Sequence, residues 1–302
     1  MSSREQDRVS RRGFLQAGAV GAAGAMALGC HGRPKPPAPP PKEAPKETPK
    51  AVVEAPPPPP PYGRYEVGAQ TYSFREFSFD DMIAKVEQLG LQYVELFSSH
   101  LPMNASPQQI ADARAKMAAR KIAVNAYFVG GLNKDEANDR RILDFVKGLG
   151  ARVAVGDPPA DCFDVLDKVV AETGVQVGIH NHGPGARWSK TDDLLKALAN
   201  HHANIGVCLD TGHMQRSGEN PVESARKLGA RLNSLHLKDL NEQNHDVVVG
   251  RGRLDLVGLF TVLKELHFSG PISFEYEIEP KDPVPSMAAS LEAIRAAIAK
   301  VG

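Results

Sequence analysis

Eight times between Arg64 and Gly302, a short apolar segment gives way to a loop and an amphipathic helical pattern. No other feature restricts the fold as strongly. The apolar segments are YEVGAQTYSF, LQYVELF, IAVNAYFV, ARVAVGD, VQVGIHNH, NIGVCLD, LNSLHLKD and PISFEYE. Helical patterns such as DDMIAKVEQLG and DDLLKALAN follow, the latter with Thr191 as its expected N-cap. Strands that alternate with helices pair in parallel through right-handed crossovers. Eight such units in about 240 residues fit a closed barrel, which typically takes about 250. An open doubly wound sheet would carry a glycine-rich turn after its first strand, where this chain has SFREFSFDD. The expected fold class is α/β, a (β/α)8 TIM barrel spanning residues 64–302.

The segments ahead of the barrel have another character. SRRGFLQAG (Ser10–Gly18) places paired arginines before Phe-Leu and resembles a twin-arginine export signal. An apolar run from Ala17 to Leu28 follows, shorter than the roughly 20 residues of a membrane span. It ends in ALGC, which puts Cys30 where a bacterial lipoprotein is cleaved and lipidated. Residues 31–63 are dominated by proline without apolar periodicity, and read as an extended polyproline spacer after a signal over residues 1–30. The expected location is periplasmic or at the outer face of a membrane, with membrane contact only through the signal or a lipid on Cys30.

Composition narrows the partners. Lysine plus arginine and aspartate plus glutamate both number 36, so the formal charge is zero. Nucleic-acid affinity is built from uncompensated basic charge, so no nucleic-acid partner is expected. Three cysteines make no disulfide framework, and Cys162 and Cys208 read as inert thiols. Self-association stays open.

In a barrel, the side chains at the C-terminal strand ends converge on one mouth. Period-two alternation along the last four strands puts Gly178, His180 and His182 inward, then Gly206, Cys208 and Asp210, then Ser234, His236 and Lys238, then Ser273, Glu275 and Glu277. Four successive strands thus carry His180, Asp210, His236 and Glu275 at comparable depth. The residues two before them (Gly178, Cys208, Ser234 and Ser273) are small, leaving space that a structural core would fill. Two imidazoles and two carboxylates around one point suit a divalent cation such as Mn²⁺, Zn²⁺, Co²⁺ or Mg²⁺. The plainer readings are a satisfied core histidine at 180, a helix cap at Asp210, a structural His236 and a salt-bridging Glu275.

VGIHNHG, CLDTGHM, LHLKD and ISFEYE resemble the xylose-isomerase-like barrels of the sugar phosphate isomerase/epimerase group, and the likeness runs the length of the barrel. The resemblance implies a metal held by Glu, Asp, His and Glu from strand ends. Asp210, His236 and Glu275 match the last three, and His180 stands where many relatives carry glutamate. In the epimerases of that group two glutamates act as acid and base on opposite faces of the substrate. The departure at His180 therefore brings in the lyases and dehydratases acting on keto-sugars or keto-inositols. The resemblance also makes His213 a substrate-binding residue.

The expected chemistry is proton abstraction beside a carbonyl of a small carbohydrate through an enediolate. Glu275 or Glu95, the latter inward with Tyr93 and Phe97 and alternatively an internal ion-pair partner, takes the proton, and His182, His213 or Lys238 returns one or handles a leaving group. Lys238 could instead bind a substrate oxyanion or pair with Asp239 or Glu95. Trp188 and Tyr72 are candidate stacking groups for a sugar face, and GRGRLDLVG (Gly250–Gly258) is expected on the rim. Isomerisation, epimerisation and elimination all follow from one enediolate. Two other classes share these features: a metal-dependent endonuclease at abasic sites, disfavoured by zero net charge, and an exported sugar-binding lipoprotein without catalysis.

Overall fold

The computed structural model describes residues 61–302. The export signal, Cys30 and the spacer up to residue 60 lie outside the described residues. Eight parallel strands close into a barrel: β1 (Glu66–Gln70), β2 (Tyr93–Leu96), β3 (Ala123–Phe128), β4 (Val153–Gly156), β5 (Gln176–His180), β6 (Ile205–Asp210), β7 (Leu232–Leu237) and β8 (Pro271–Phe274). They run around the wall in chain order, β8 returning to β1. The expected fold is the observed one.

Around the strands lie α1 (Phe79–Gln88), α2 (Pro107–Ala119), α3 (Glu136–Gly148), α4 (Phe163–Thr173), α5 (Thr191–Leu198), α6 (Thr211–Arg216), α7 (Pro221–Leu228), α8 (Leu256–Glu265) and α9 (Val284–Val301). Local chemistry sets their ends. Ser78 caps α1 by accepting the Asp81 amide at 3.1 Å, and Asp80 and Asp81 sit in the first turn, where the helix dipole favours negative charge. Met82, Ile83 and Val86 then form the buried stripe. Each such side chain gains roughly 1.5–3 kcal/mol on burial. Ser106 and Gln109 make a reciprocal capping box at α2. Thr191 is the first residue of α5 rather than its cap, and Glu219 accepts both its amide (3.1 Å) and its hydroxyl (2.5 Å).

The alternation read from the sequence holds. Val177, Ile179, Val207, Leu209, Leu235, Leu237, Ile272 and Phe274 join the apolar layer between strands and helices. A separate small cluster of Ala126, Val153, Val155 and Cys208, with Phe128 against it, fills the lumen. In register, His236 lies opposite both Asp210 and Ser273, while His180 lies opposite Cys208. Barrel shear thus brings residues of different rungs to one height. β5 stops at His180 and β8 at Phe274, so His182, Glu275 and Glu277 stand on the loops just beyond.

After β7 the chain forms a short antiparallel hairpin, Asp239–Leu240 with Asp246–Val247. The buried Asp239 carboxylate accepts the amides of Leu240, Gly250, Gly252 and Leu254 at 2.8–2.9 Å. Gly252 is required there, because a Cβ would stand 2.3 Å from Asp239 Oδ1. This carboxylate is what folds the GRGRLDLVG segment.

Both barrel cysteines are sealed. Burial pushes the Cys162 thiol up to about 12, and it raises that of Cys208 as well. In a Cys30→Ser chain, a chromogenic disulfide reagent is expected to label neither thiol until the protein is denatured. Rapid labelling of the folded chain would refute this.

Candidate active site

His180, Asp210, His236 and Glu275 each offer a donor atom at the barrel mouth, all within 4.8 Å of one another. His180 Nε2 lies 3.4 Å from Asp210 Oδ2, and His236 Nδ1 lies 3.2 Å from Glu275 Oε2. Both nitrogens of His180, Asp210 Oδ2 and His236 Nδ1 are buried without a hydrogen-bond partner. A buried polar atom without a hydrogen bond costs about 1–3 kcal/mol, and three of these, His180 Nε2, Asp210 Oδ2 and His236 Nδ1, gathered around one point would be a poor structural core. Two imidazoles and two carboxylates meeting this way fit a divalent cation.

Asp210 serves two structures at once. Its Oδ1 caps α6 by accepting the His213 amide at 2.7 Å, leaving Oδ2 for the cluster. The buried Asn181 side chain fixes the backbone beneath, accepting the Asp210 amide at 2.8 Å and donating to its carbonyl at 3.1 Å. The helix-cap reading of Asp210 therefore holds for Oδ1, and the cap leaves Oδ2 facing the cluster.

The space left by the small residues is filled from across the barrel. Glu95, on β2 and fully buried, holds His236 Nε2 at 2.9 Å from each of its oxygens and accepts the Ser273 hydroxyl at 2.7 Å. Of the two expectations for Glu95, the geometry matches the internal pair and corrects the acid–base role at the mouth: the carboxylate lies under the imidazole with no exposed surface. It is a positioning residue that turns Nδ1 of His236 toward the cluster, as carboxylates behind metal-binding histidines do.

Electrostatics follow from this burial. Desolvation pushes His180 down to about 3, so its ring is neutral. Burial opposes a charge on His236, yet negative charge on Cys208 and Glu95 raises it well above the usual range; Cys208 is itself held neutral by burial, which leaves Glu95 as the effective anion. Burial would raise Asp210 and Glu275, but the Lys238 ammonium acting together with His213 and His180 at Asp210, and with His236 at Glu275, outweighs it and holds both carboxyls low. Lys238 Nζ stands 2.8 Å from Glu275 Oε2 and 3.3 Å from Asp210 Oδ2, and also pairs with Glu277. Its partners are thus these three carboxylates, not Asp239 or Glu95.

Other expected residues divide. His182 and His213, both half-buried, bring their rings to within 4.6 and 5.8 Å of His180 and 5.1 Å of each other, so they line the mouth. Trp188 does not join them. Its indole stacks on Phe163 at 5.8 Å and donates to the Pro158 carbonyl at 2.9 Å, so the stacking expectation for Trp188 is corrected: it packs against α4. Sequence reading missed Phe128, at the end of β3, whose ring meets His180 edge-on at 5.5 Å and continues through Phe97 to Tyr72. Its position at a strand end was the available signal. Asn181 was passed over because it points away from the histidines flanking it.

Fold and site together define a closed (β/α)8 barrel with a buried histidine–carboxylate cluster at its mouth. A family model, "Xylose isomerase-like TIM barrel", matches residues 83–297, and the chain belongs to that family. Inosose dehydratase of Clostridium botulinum is 28% identical over 140 residues, which is 40% of this chain and 47% of that protein. The chain thus spans about half the length of the curated relatives it matches. A structure from Parabacteroides distasonis is 28% identical with a TM-score of 0.61, covering 78% of this chain and 99% of its own. The Escherichia coli 3-keto-D-glucoside 4-epimerase has the same fold at 18% identity and a TM-score of 0.63, over 77% and 99% of the two chains.

Two measurements check the site. Glu95→Gln is expected to weaken Mn²⁺ binding by about 10–100-fold with the fold intact by circular dichroism; unchanged binding would remove Glu95 from its role. The proton on His236 must leave Nδ1 before a cation can bind there. Mn²⁺ affinity in direct titrations should therefore fall as pH is lowered, by at most about tenfold per unit for one proton. A flat profile between about pH 6 and 8 would contradict this.

Proposed function

We propose that this protein is a divalent-metal-dependent enzyme that removes a proton beside the carbonyl of a keto-sugar, giving an enediolate that is reprotonated as an isomerase or epimerase does. The observation that carries this reading is the convergence of unpartnered donors from His180, Asp210 and His236, with Glu275, at a mouth lined by titratable groups. A cation held by these four residues would supply the positive charge that acidifies the neighbouring C–H and stabilises the enediolate.

The chain's own residues supply the rest. Asp210 and His236 are fully buried, whereas Glu275 is 9% exposed, so Glu275 is the carboxylate that reaches the mouth and takes the proton. His182 and His213 stand beside His180, within reach of the sugar hydroxyls. Phe128 and Phe97 offer an apolar wall for the ring face that carries C–H bonds.

A second reading, elimination of water, is favoured by one observation. Glu95 is sealed under His236 and position 180 is histidine, which leaves a single glutamate of the cluster at the mouth, beside an ammonium. One base and one acid on the same side suit removal of a proton and a β-hydroxyl. Inosose dehydratases among the relatives lend this support.

Incubation of Mn²⁺-loaded protein with a panel of keto-sugars and keto-inositols in D₂O tests both. Deuterium in a recovered or epimerised sugar is expected for the first reading, and loss of water with a new conjugated carbonyl absorbance for the second. Glu275→Gln should lower either signal by about 10²–10⁴-fold. A metal-loaded protein that neither exchanges a C–H nor releases water on any substrate would defeat both readings.

A further inference from the structure

We propose that Lys238 is a tethered cation: it neutralises the Asp210 and Glu275 oxygens while no divalent ion is bound, and passes to Glu277 at the mouth when one enters. This rests on the metal-site reading above. It adds that ion uptake and presentation of an ammonium to the substrate are a single event.

The geometry is specific to atoms. Lys238 Nζ touches Asp210 Oδ2 and Glu275 Oε2. Those same two oxygens face His180 Nε2 and His236 Nδ1 respectively, as the shared donors of the cluster. An ammonium and a dication cannot both sit on these oxygens in a water-poor site, because like charges at contact distance repel strongly there. One must yield.

The stem of Lys238 is fixed, so only its end can move. Its amide donates to Thr211 Oγ1 at 2.9 Å, and that hydroxyl donates to the Lys238 carbonyl at 2.6 Å. Its Cβ packs where a Cβ on Gly212 would stand 2.7 Å away, so α6 leaves room for this one side chain. The acceptor for the displaced ammonium is already in place. Glu277 is the third partner of Nζ, its side chain is 38% exposed against 0% for Asp210, and Arg75 holds its carbonyl at 2.8 Å. A rotation about the terminal bonds of the lysine exchanges two buried partners for one facing solvent. The displaced ammonium then stands against Glu277, beside the Arg75 that holds its carbonyl, only in ion-loaded molecules.

The test follows Lys238 itself rather than turnover. The folded full chain is acetylated with a succinimidyl ester, metal-free and Mn²⁺-saturated, and modification at Lys238 is read by peptide mass spectrometry. Lys227, on the surface, serves as reference. Mn²⁺ is expected to raise labelling of Lys238 at least about tenfold and leave Lys227 unchanged. Lys238→Met should bind Mn²⁺ at least about tenfold more tightly than wild type, and Glu277→Gln, with the outer acceptor weakened, less tightly. Mn²⁺ binding by Lys238→Met alone would overturn the proposal, since the ammonium would then block the ion and not yield to it. Unchanged labelling on saturation, or a folded Lys238→Met that binds no tighter, would overturn it while leaving the metal site standing. Absence of Mn²⁺ binding in wild type and both variants would instead remove the metal-site reading and this proposal together. Should Lys238→Met not fold, the wild-type labelling and Glu277→Gln still decide.

Discussion

The hydrogen bond from His236 Nε2 to the Glu95 carboxylate, closed to solvent at both ends, is the constraint on which the mouth depends. An imidazole can present a lone pair from one nitrogen only if the other carries the proton. Glu95 holds that proton on Nε2, so Nδ1 faces Asp210 and Glu275. The Ser273 hydroxyl in turn fixes the carboxylate. None of this would fit if larger side chains stood at the inward positions of β5 to β8. A Cβ on Gly178 would already lie 2.9 Å from Ser234 Oγ. Small residues in the lumen are therefore the condition for a long carboxylate reaching across it.

The rest of the site is held with comparable economy of motion. Asn181 fixes the Asp210 backbone through two hydrogen bonds, and Asp210 divides its oxygens between a helix cap and the cluster. Side chains whose positions are set by the fold would lose little freedom on gripping an ion, so more of the interaction energy would appear as affinity. Lys238 completes the arrangement, its backbone held by Thr211 and its buried ammonium shared among three carboxylates.

Much of this was readable in the sequence, for identifiable reasons. Alternation fixes which side of a strand a residue faces, and it placed His180, Asp210, His236 and Glu275 on the inner wall together. It does not fix depth. Glu95 faces inward as its strand position requires, but its rung pairs with Gln70 and Ala126, and barrel shear carries its carboxylate beneath His236 rather than to the mouth. Trp188 failed for a related reason. It lies in a loop, where no periodicity says which way a side chain turns, and the open Pro158 carbonyl beside Phe163 decided the matter. Asp239 looked like a partner for its neighbour Lys238. Only the folded hairpin reveals four amides waiting for it, and successive residues at a strand end point to opposite sides.

Histidine at position 180 fits the same electrostatic scheme. Its ring is neutral by burial, so the cluster offers two negative charges, from Asp210 and Glu275, to a cation carrying two positive ones. A glutamate there would add a third buried anion beside Asp210, needing compensation from the one ammonium within reach. With histidine, Lys238 would not be required to stay against Asp210 and Glu275 if an ion were bound there. Its charge can then move outward to Glu277 without leaving an unbalanced carboxylate in the wall. His180 and the lysine that shares the oxygens of Asp210 and Glu275 are thus two parts of one charge balance.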